Sequence, residues 1–327
     1  MQLRPAVPRS PDEARTSVDP VNGFDRTRRG THLLAFADGS PRWRRAAKRF
    51  ALQANRSGWF TQVIVCDAST LTALDPDFFR RRRELFAAHG PGFGYYCWKP
   101  FLLSHYLSLP GLRADRVAYL DVGFHLNVRQ ATTARWRQHE HLVDERGVLA
   151  LHMPGVPEDE WTKPSVLGHF GLDDAQRSSA QILGGLVVLA NDDRGHRVAR
   201  EWEEHASLDG GILLRDPTAA SEAGSRLRAH RHDQSVLSCL LKSRGLPSEP
   251  DETYHAPNWE TDGADSPFWA MRNRSGVAYR RRSRYFRALR AAEKGVLGAQ
   301  ATASGLLRRD PGWFGDRFGD PVGERRH

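Results

Sequence analysis

His32-Leu33-Leu34-Ala35-Phe36-Ala37, then Asp38-Gly39-Ser40-Pro41, a basic helical stretch over 42–55, and Gln62-Val63-Ile64-Val65-Cys66 form a strand, helix, strand series. Each apolar run is short and lacks polar alternation, as expected for a strand buried on both faces of a parallel sheet. At this spacing the series is the opening βαβ unit of a doubly wound sheet, with a right-handed crossover.

Further along, the pattern predicts a helix over 77–88 and another over 100–109, entered from the loop Gly90-Pro91-Gly92-Phe93-Gly94-Tyr95-Tyr96-Cys97-Trp98-Lys99. Arg116-Val117-Ala118-Tyr119-Leu120-Asp121 reads as a strand that ends on a carboxylate, and α/β sheets bind ligands beyond the carboxyl ends of their strands. Residues 147–152 and 181–190 are strand-like, and helices are expected over 194–206 and 233–243. The expected architecture is α/β, a Rossmann-like mixed and mainly parallel sheet flanked by helices, spanning 31–292. Residues 1–30, rich in Pro, Arg and Asp, read as a disordered leader, and 293–327 as a basic, poorly ordered tail.

The chain has 327 residues, 39% hydrophobic and 27% charged, enough for one large domain with a real core. Lys and Arg number 48 against 39 Asp and Glu, a net charge of +9, so an anionic partner has to be weighed. Much of that excess lies in runs such as Arg80–Arg83 and Arg280–Arg282, which usually form solvated faces. The aromatics Tyr95, Tyr96 and Trp98 sit in a glycine loop rather than among basic runs, and no RRM, KH or helix-turn-helix signature occurs. Nucleic acid is therefore not the expected partner. Cys66, Cys97 and Cys239 are widely spaced, with neither disulfide-framework nor zinc spacing. The longest apolar stretch, 182–190, is far too short to span a bilayer, which makes the expected location cytoplasmic, with peripheral contact at the anionic inner membrane face.

Four segments carry candidate chemistry. Tyr119-Leu120-Asp121-Val122-Gly123 delivers one acid to a strand end; it suits a cation bridging a diphosphate, or equally a turn or helix cap. In Gly92–Pro100, glycine amides and Lys99 could meet an anion and Tyr95 or Trp98 could stack on a base or sugar, unless the aromatics simply complete the core. Ser179-Ala180-Gln181-Ile182-Leu183-Gly184-Gly185 places two glycines before a buried run; Gln181 could bind a sugar hydroxyl, or the glycines could serve close backbone packing. Ala229-His230-Arg231-His232-Asp233-Gln234-Ser235 sets titratable groups at a helix start, where Asp233 or Ser235 could also be a cap.

Taken in order, the WKP loop, YLDVG, AQILGGLVVLAND and HRHDQSVLS resemble a family of bacterial GT-A-type glycosyltransferases found among capsule and cell-surface polysaccharide genes. More distantly they are similar to the galactosyltransferase and glycogenin group. The resemblance covers about residues 32–245 and implies a GT-A fold and transfer of a sugar from a nucleotide-diphosphate donor to a saccharide or lipid-linked saccharide acceptor. It implies Ala35, Trp98, Lys99, Asp121 and Gly123 on the donor side. Gln181, Gly184, Gly185 and His232 would lie toward sugar and acceptor, and Asp233 and Gln234 would face the transferred sugar as catalytic residues; beyond the resemblance, the composition of the aromatic and Arg-rich segment 259–290 suggests Trp269 as a platform for the acceptor sugar. A divalent cation, Mn²⁺ or Mg²⁺, would be held by Asp121 and His255. The common aspartate motif carries a second carboxylate two residues on, whereas this chain has Gly123, which puts metal dependence in question. The alternatives are a catalytically degenerate GT-A domain that binds a sugar nucleotide or a partner, or a basic nucleic-acid binder.

Overall fold

A computed structural model describes residues 25–87, 91–217, 225–253 and 263–271. The opening unit forms as expected: strand β1 (Thr31–Phe36), buried throughout, leads into the helix Pro41–Ser57 and then strand β2 (Gln62–Cys66). β2 lies parallel to β1, with His32 opposite Gln62 and Phe36 opposite Cys66. Strand β3 (Arg116–Leu120) joins the other edge of β1, also parallel. Next come β4 (His125–Leu126), β5 (Val148–Pro157), β6 (Ala180–Ala190), β7 (Glu249–Pro250) and β8 (Phe268–Trp269).

The main sheet runs β2-β1-β3-β6-β5-β7, while β4 and β8 pair separately. Five of its six strands point the same way; β6 alone is reversed, antiparallel to both β3 and β5. The fold class is thus the mixed and mainly parallel α/β sheet expected. Reversal of β6 has a direct consequence for the site. Because Leu120 lies opposite Leu186 and Arg116 opposite Ala190, the glycines at the entry of β6 arrive at the exit of β3.

Side chains alternate between two buried layers. Leu34, Phe36, Val117, Tyr119, Val187 and Leu189 pack under the helices Trp98–Leu107, Asp193–Ser207 and His232–Ser243, with Phe101, Trp202 and Leu240 filling the layer. Leu33, Ala35, Ala118, Leu120, Leu186 and Val188 face Phe50 and Trp136 from the helices Pro41–Ser57 and Gln130–Arg146. Burial on both faces explains why these strands read as unbroken apolar runs.

Three elements depart from expectation. The helix expected over 77–88 is two short ones, Phe78–Arg81 and Arg83–Ala87. Between them Arg82 turns inward, its guanidinium 4.5 Å from the Phe78 ring centroid and 3.1 Å from Glu203. One member of an arginine run expected to be solvated is therefore a core cation. The helix Gln130–Arg146 escaped the sequence pattern because its inner face is Thr132, Trp136, His139, Glu140 and Val143, more polar than apolar. It stops at Gly147, whose φ of 83° an L-residue rarely adopts. Residues 25–30, assigned by sequence to the leader, are tied to the domain: Arg113 donates to the Arg26 carbonyl at 2.7 Å and the Gly30 amide to Asp115 at 2.8 Å. Among the described residues no helix is long and apolar enough to cross a membrane.

Candidate active site

Asp121 follows directly on β3. Its amide donates to the Gly185 carbonyl at 3.0 Å, and its carbonyl accepts from the Phe124 amide at 3.0 Å, which turns the chain back beside β6. Its carboxylate accepts from the Tyr119 hydroxyl at 2.7 Å and remains half exposed. Below the turn, Arg49 is buried at 4% exposure and donates to the carbonyls of Val122 and Phe124, pinning the loop that contains Gly123. Sequence reasoning passed over Arg49 within a basic helix. The signal was its spacing: Ala46, Arg49, Phe50 and Ala54 share the buried face of that helix.

Lys99 lies in the first turn of the helix Trp98–Leu107, with a side chain only 3% exposed. Its ammonium sits 2.8 Å from Asp233 Oδ2 and 3.6 Å from Asp121 Oδ1, and donates to the Gly184 carbonyl at 3.0 Å. Three ring faces complete its surroundings, Tyr119, Tyr96 and Trp98, with centroids at 5.1, 5.5 and 5.9 Å. Burial opposes its charge, but Asp121 and Asp233 outweigh burial and hold the ammonium above the ordinary lysine value. Burial likewise pushes the Asp233 carboxyl up to about 6, against the pull of Lys99. Burial and the neighbouring Asp121 raise the Tyr119 phenol well above its usual range.

Asp233 and Gln234 open the helix His232–Ser243, and the Trp202 indole donates to the Asp233 carbonyl at 3.1 Å. The Gln234 side chain is held at both ends. Its oxygen accepts from the Gly184 amide at 3.1 Å, and its nitrogen donates to Gln181 Oε1 at 2.6 Å. Gln181, expected to meet a sugar hydroxyl, is instead fully buried, donating to Glu158 and to Thr162, each at 3.0 Å. Glu158, fully buried itself, pairs with Lys242 at 2.7 Å. This buried chain of polar groups orients Gln234. Sequence reasoning missed it because each member lies in a different element.

The glycines of β6 are explained by close approach. A Cβ on Gly184 would lie 2.8 Å from Gln234 Cβ and 3.1 Å from its Cα, and one on Gly185 would lie 2.9 Å from Asp121 Oδ2. Gly184→Ala is expected to cost roughly 1–3 kcal/mol, the usual size of an overpacking strain, and to displace Gln234. Urea unfolding of the variant checks this; a midpoint equal to wild type would show that the helix start yields without strain.

Of the other expected site residues, Ala35 is fully buried beneath the helix Pro41–Ser57. Trp98 is stacked on Phe36 at 4.0 Å between centroids, so it is a packed wall rather than an open platform. His232, buried and with φ 47°, uses Nδ1 toward the Leu214 carbonyl at 2.8 Å and tethers that segment instead of opening to an acceptor. Trp269 is buried in β8, its ring stacked on His125 and its indole donating to the Gly263 carbonyl at 2.9 Å. His255 lies outside the described residues. The structure thus gathers Lys99, Asp121, Gly184, Gly185, Asp233 and Gln234 at one point and adds Tyr96, Tyr119 and Arg49.

Among the described residues, which do not include His255, the donor set does not fit a divalent cation held by the protein alone. Asp121 offers one carboxylate, Gly123 supplies none, and Asp233 is already paired with an ammonium. Among the described residues no group of three His, Cys, Asp or Glu side chains is arranged to hold a metal.

No protein-family model matches the chain, and no curated protein matches it. Among solved structures, the crystal structure of mouse xyloside xylosyltransferase 1 in its apo form is similar, with a TM-score of 0.40 and 10% identity over 74% of this chain and 97% of that one. A likeness that loose transfers no activity.

Proposed function

We propose that the protein is a glycosyltransferase that moves a sugar from a nucleotide-diphosphate donor to a saccharide or lipid-linked saccharide acceptor. One observation carries this reading. Two carboxylates more than a hundred residues apart, Asp121 and Asp233, converge on the buried Lys99 where β3 ends and the reversed β6 begins. Asp121 lies just beyond the carboxyl end of β3, and α/β sheets bind ligands outside their strands' carboxyl ends where the strand order switches, which here falls between β1 and β3.

The chemistry follows from charge. When a glycosyl bond to a diphosphate breaks, negative charge grows on the leaving group and positive charge on the sugar. Fixed charges that need no rearrangement stabilise such a state most, because a crevice poor in water screens them weakly. In this reading the buried Lys99 holds the two carboxylates in place, and the half-exposed Asp121 meets the donor on the side where positive charge grows on the sugar. Asp233 and the doubly held Gln234 face the sugar.

Protonating Asp233 would remove the close partner of Lys99, so kcat/KM is expected to fall on the acid side with a midpoint near the Asp233 value of about 6. The stability effect has the opposite sign. The folded chain binds this proton more tightly than the unfolded one, so the group favours folding at low pH and loses that contribution as pH rises from 3.8 toward about 6. A pH–rate profile compared with that of Asp233→Asn checks the assignment; an unchanged acid limb in the variant would remove it.

The direct test is thermal unfolding with UDP, GDP, dTDP or CDP, followed by assay of nucleoside diphosphate release from the matching sugar nucleotides. A ligand of the folded state raises Tm by mass action. One nucleotide that shifts Tm and whose sugar conjugate turns over is the expected result. No shift and no release with any of them would leave the proposal without a substrate.

A further inference from the structure

The point at which the Asp121 and Asp233 carboxylates converge is occupied by a cation of the chain itself. Around Lys99 Nζ stand three oxygens, Asp233 Oδ2 at 2.8 Å, the Gly184 carbonyl at 3.0 Å and Asp121 Oδ1 at 3.6 Å. These are ammonium distances; Mg²⁺ draws oxygen ligands to about 2.1 Å. The rings of Tyr96, Trp98 and Tyr119 also lie within about 6 Å of it, and their faces attract a cation but are poor ligands for a hard metal. Asp121 Oδ1 is further engaged by the Tyr119 hydroxyl, and Asp233, the one other acid reaching this point among the described residues, is 3% exposed and faces the ammonium.

We infer that the resident cation of this site is the Lys99 ammonium, seated among Asp121, Asp233 and Gly184, and that nucleoside diphosphate binding is independent of divalent ions. The seat is formed when the chain folds, so its charge does not vary with metal supply or chelators. Its three anchors come from β6, the exit of β3 and the start of the helix His232–Ser243, so the ammonium also locks together the elements that bound the crevice. The second half of the inference rests on the glycosyltransferase reading; the first does not.

Two measurements separate them. Mn²⁺ titration of the nucleotide-free protein, followed by electron paramagnetic resonance, is expected to leave wild type without a Mn²⁺ site that Asp121→Asn removes. In Lys99→Ala the vacated oxygens are expected to gain one such site. A wild-type Mn²⁺ site that Asp121→Asn abolishes would overturn the inference, and this arm decides even if Lys99→Ala fails to fold. Calorimetry with the nucleotide selected by thermal shift is expected to give affinities in EDTA and in Mn²⁺ that agree within about twofold. Binding about tenfold or more tighter in Mn²⁺, lost in Asp121→Asn, would overturn the metal independence. If no nucleoside diphosphate binds in either medium, the glycosyltransferase reading fails, and the Mn²⁺ titration still decides whether the ammonium holds the seat.

Discussion

Lys99→Met is expected to destabilise the protein by about 3–5 kcal/mol near neutral pH, the usual cost of removing one partner from a buried ion pair. Methionine keeps most of the volume of the lysine stem, so the loss comes from charge rather than from a cavity. It leaves Asp233, 3% exposed, without its counter-ion 2.8 Å away. The effect therefore depends on pH. Acid neutralises Asp233 at no charge imbalance, so the deficit shrinks as pH falls below the Asp233 value, which in the variant lies above the wild-type value of about 6 because Lys99 no longer pulls it down. Asp233→Asn in the Lys99→Met background is expected to recover much of the loss. Urea unfolding of the two single variants and the double variant at pH 5 and pH 8 forms a double-mutant cycle that isolates the pair. A double variant no more stable than Lys99→Met at pH 8 would show that the pair does not hold the site together.

Asp121→Asn tests chemistry rather than stability. The side chain is half exposed and an asparagine oxygen can still accept from the Tyr119 hydroxyl, so the fold is expected to survive. Turnover is expected to drop by about 10²–10³-fold, the usual size of losing one preorganised electrostatic group from an active site. Release of nucleoside diphosphate, measured beside an unfolding curve, separates the two effects. Turnover close to wild type would take Asp121 out of the reaction and leave its strand-end position a purely structural one.

Several features of the fold were open to sequence reasoning because they rest on local physics. The runs 32–37, 62–66, 116–120 and 181–190 are apolar on both faces and too short for helices, and all four contain observed strands. The helix expected over 194–206 is observed at 193–207, with Asp192 as its cap, accepting from the Arg194 and Gly195 amides. The helix Gln130–Arg146 was not legible, since a stripe containing buried His139 and Glu140 has no apolar period, and Glu140 accepts from the distant Thr31 as well as from Arg137 of the same helix. The direction of β6 was equally hidden: an apolar run has the same composition whether it runs parallel or antiparallel to its neighbours.

The same division holds at the site. Sequence by itself determined which residues were candidates, because a lone acid ending an apolar strand, paired glycines before another and an Asp-Gln helix start are local patterns. It also determined the α/β class, since that follows from the spacing of apolar runs. Tertiary structure decided what each candidate does. It turned Lys99 inward to join two carboxylates and buried Gln181 against Gln234. It made Trp98 a wall stacked on Phe36, and it gave Arg49 and Glu158 roles that their local sequence did not announce. The physical reason is range. Capping, hydrophobic periodicity and turn preference act within a few residues, whereas the charge state and partner of a buried ion depend on groups brought together only after the sheet is ordered.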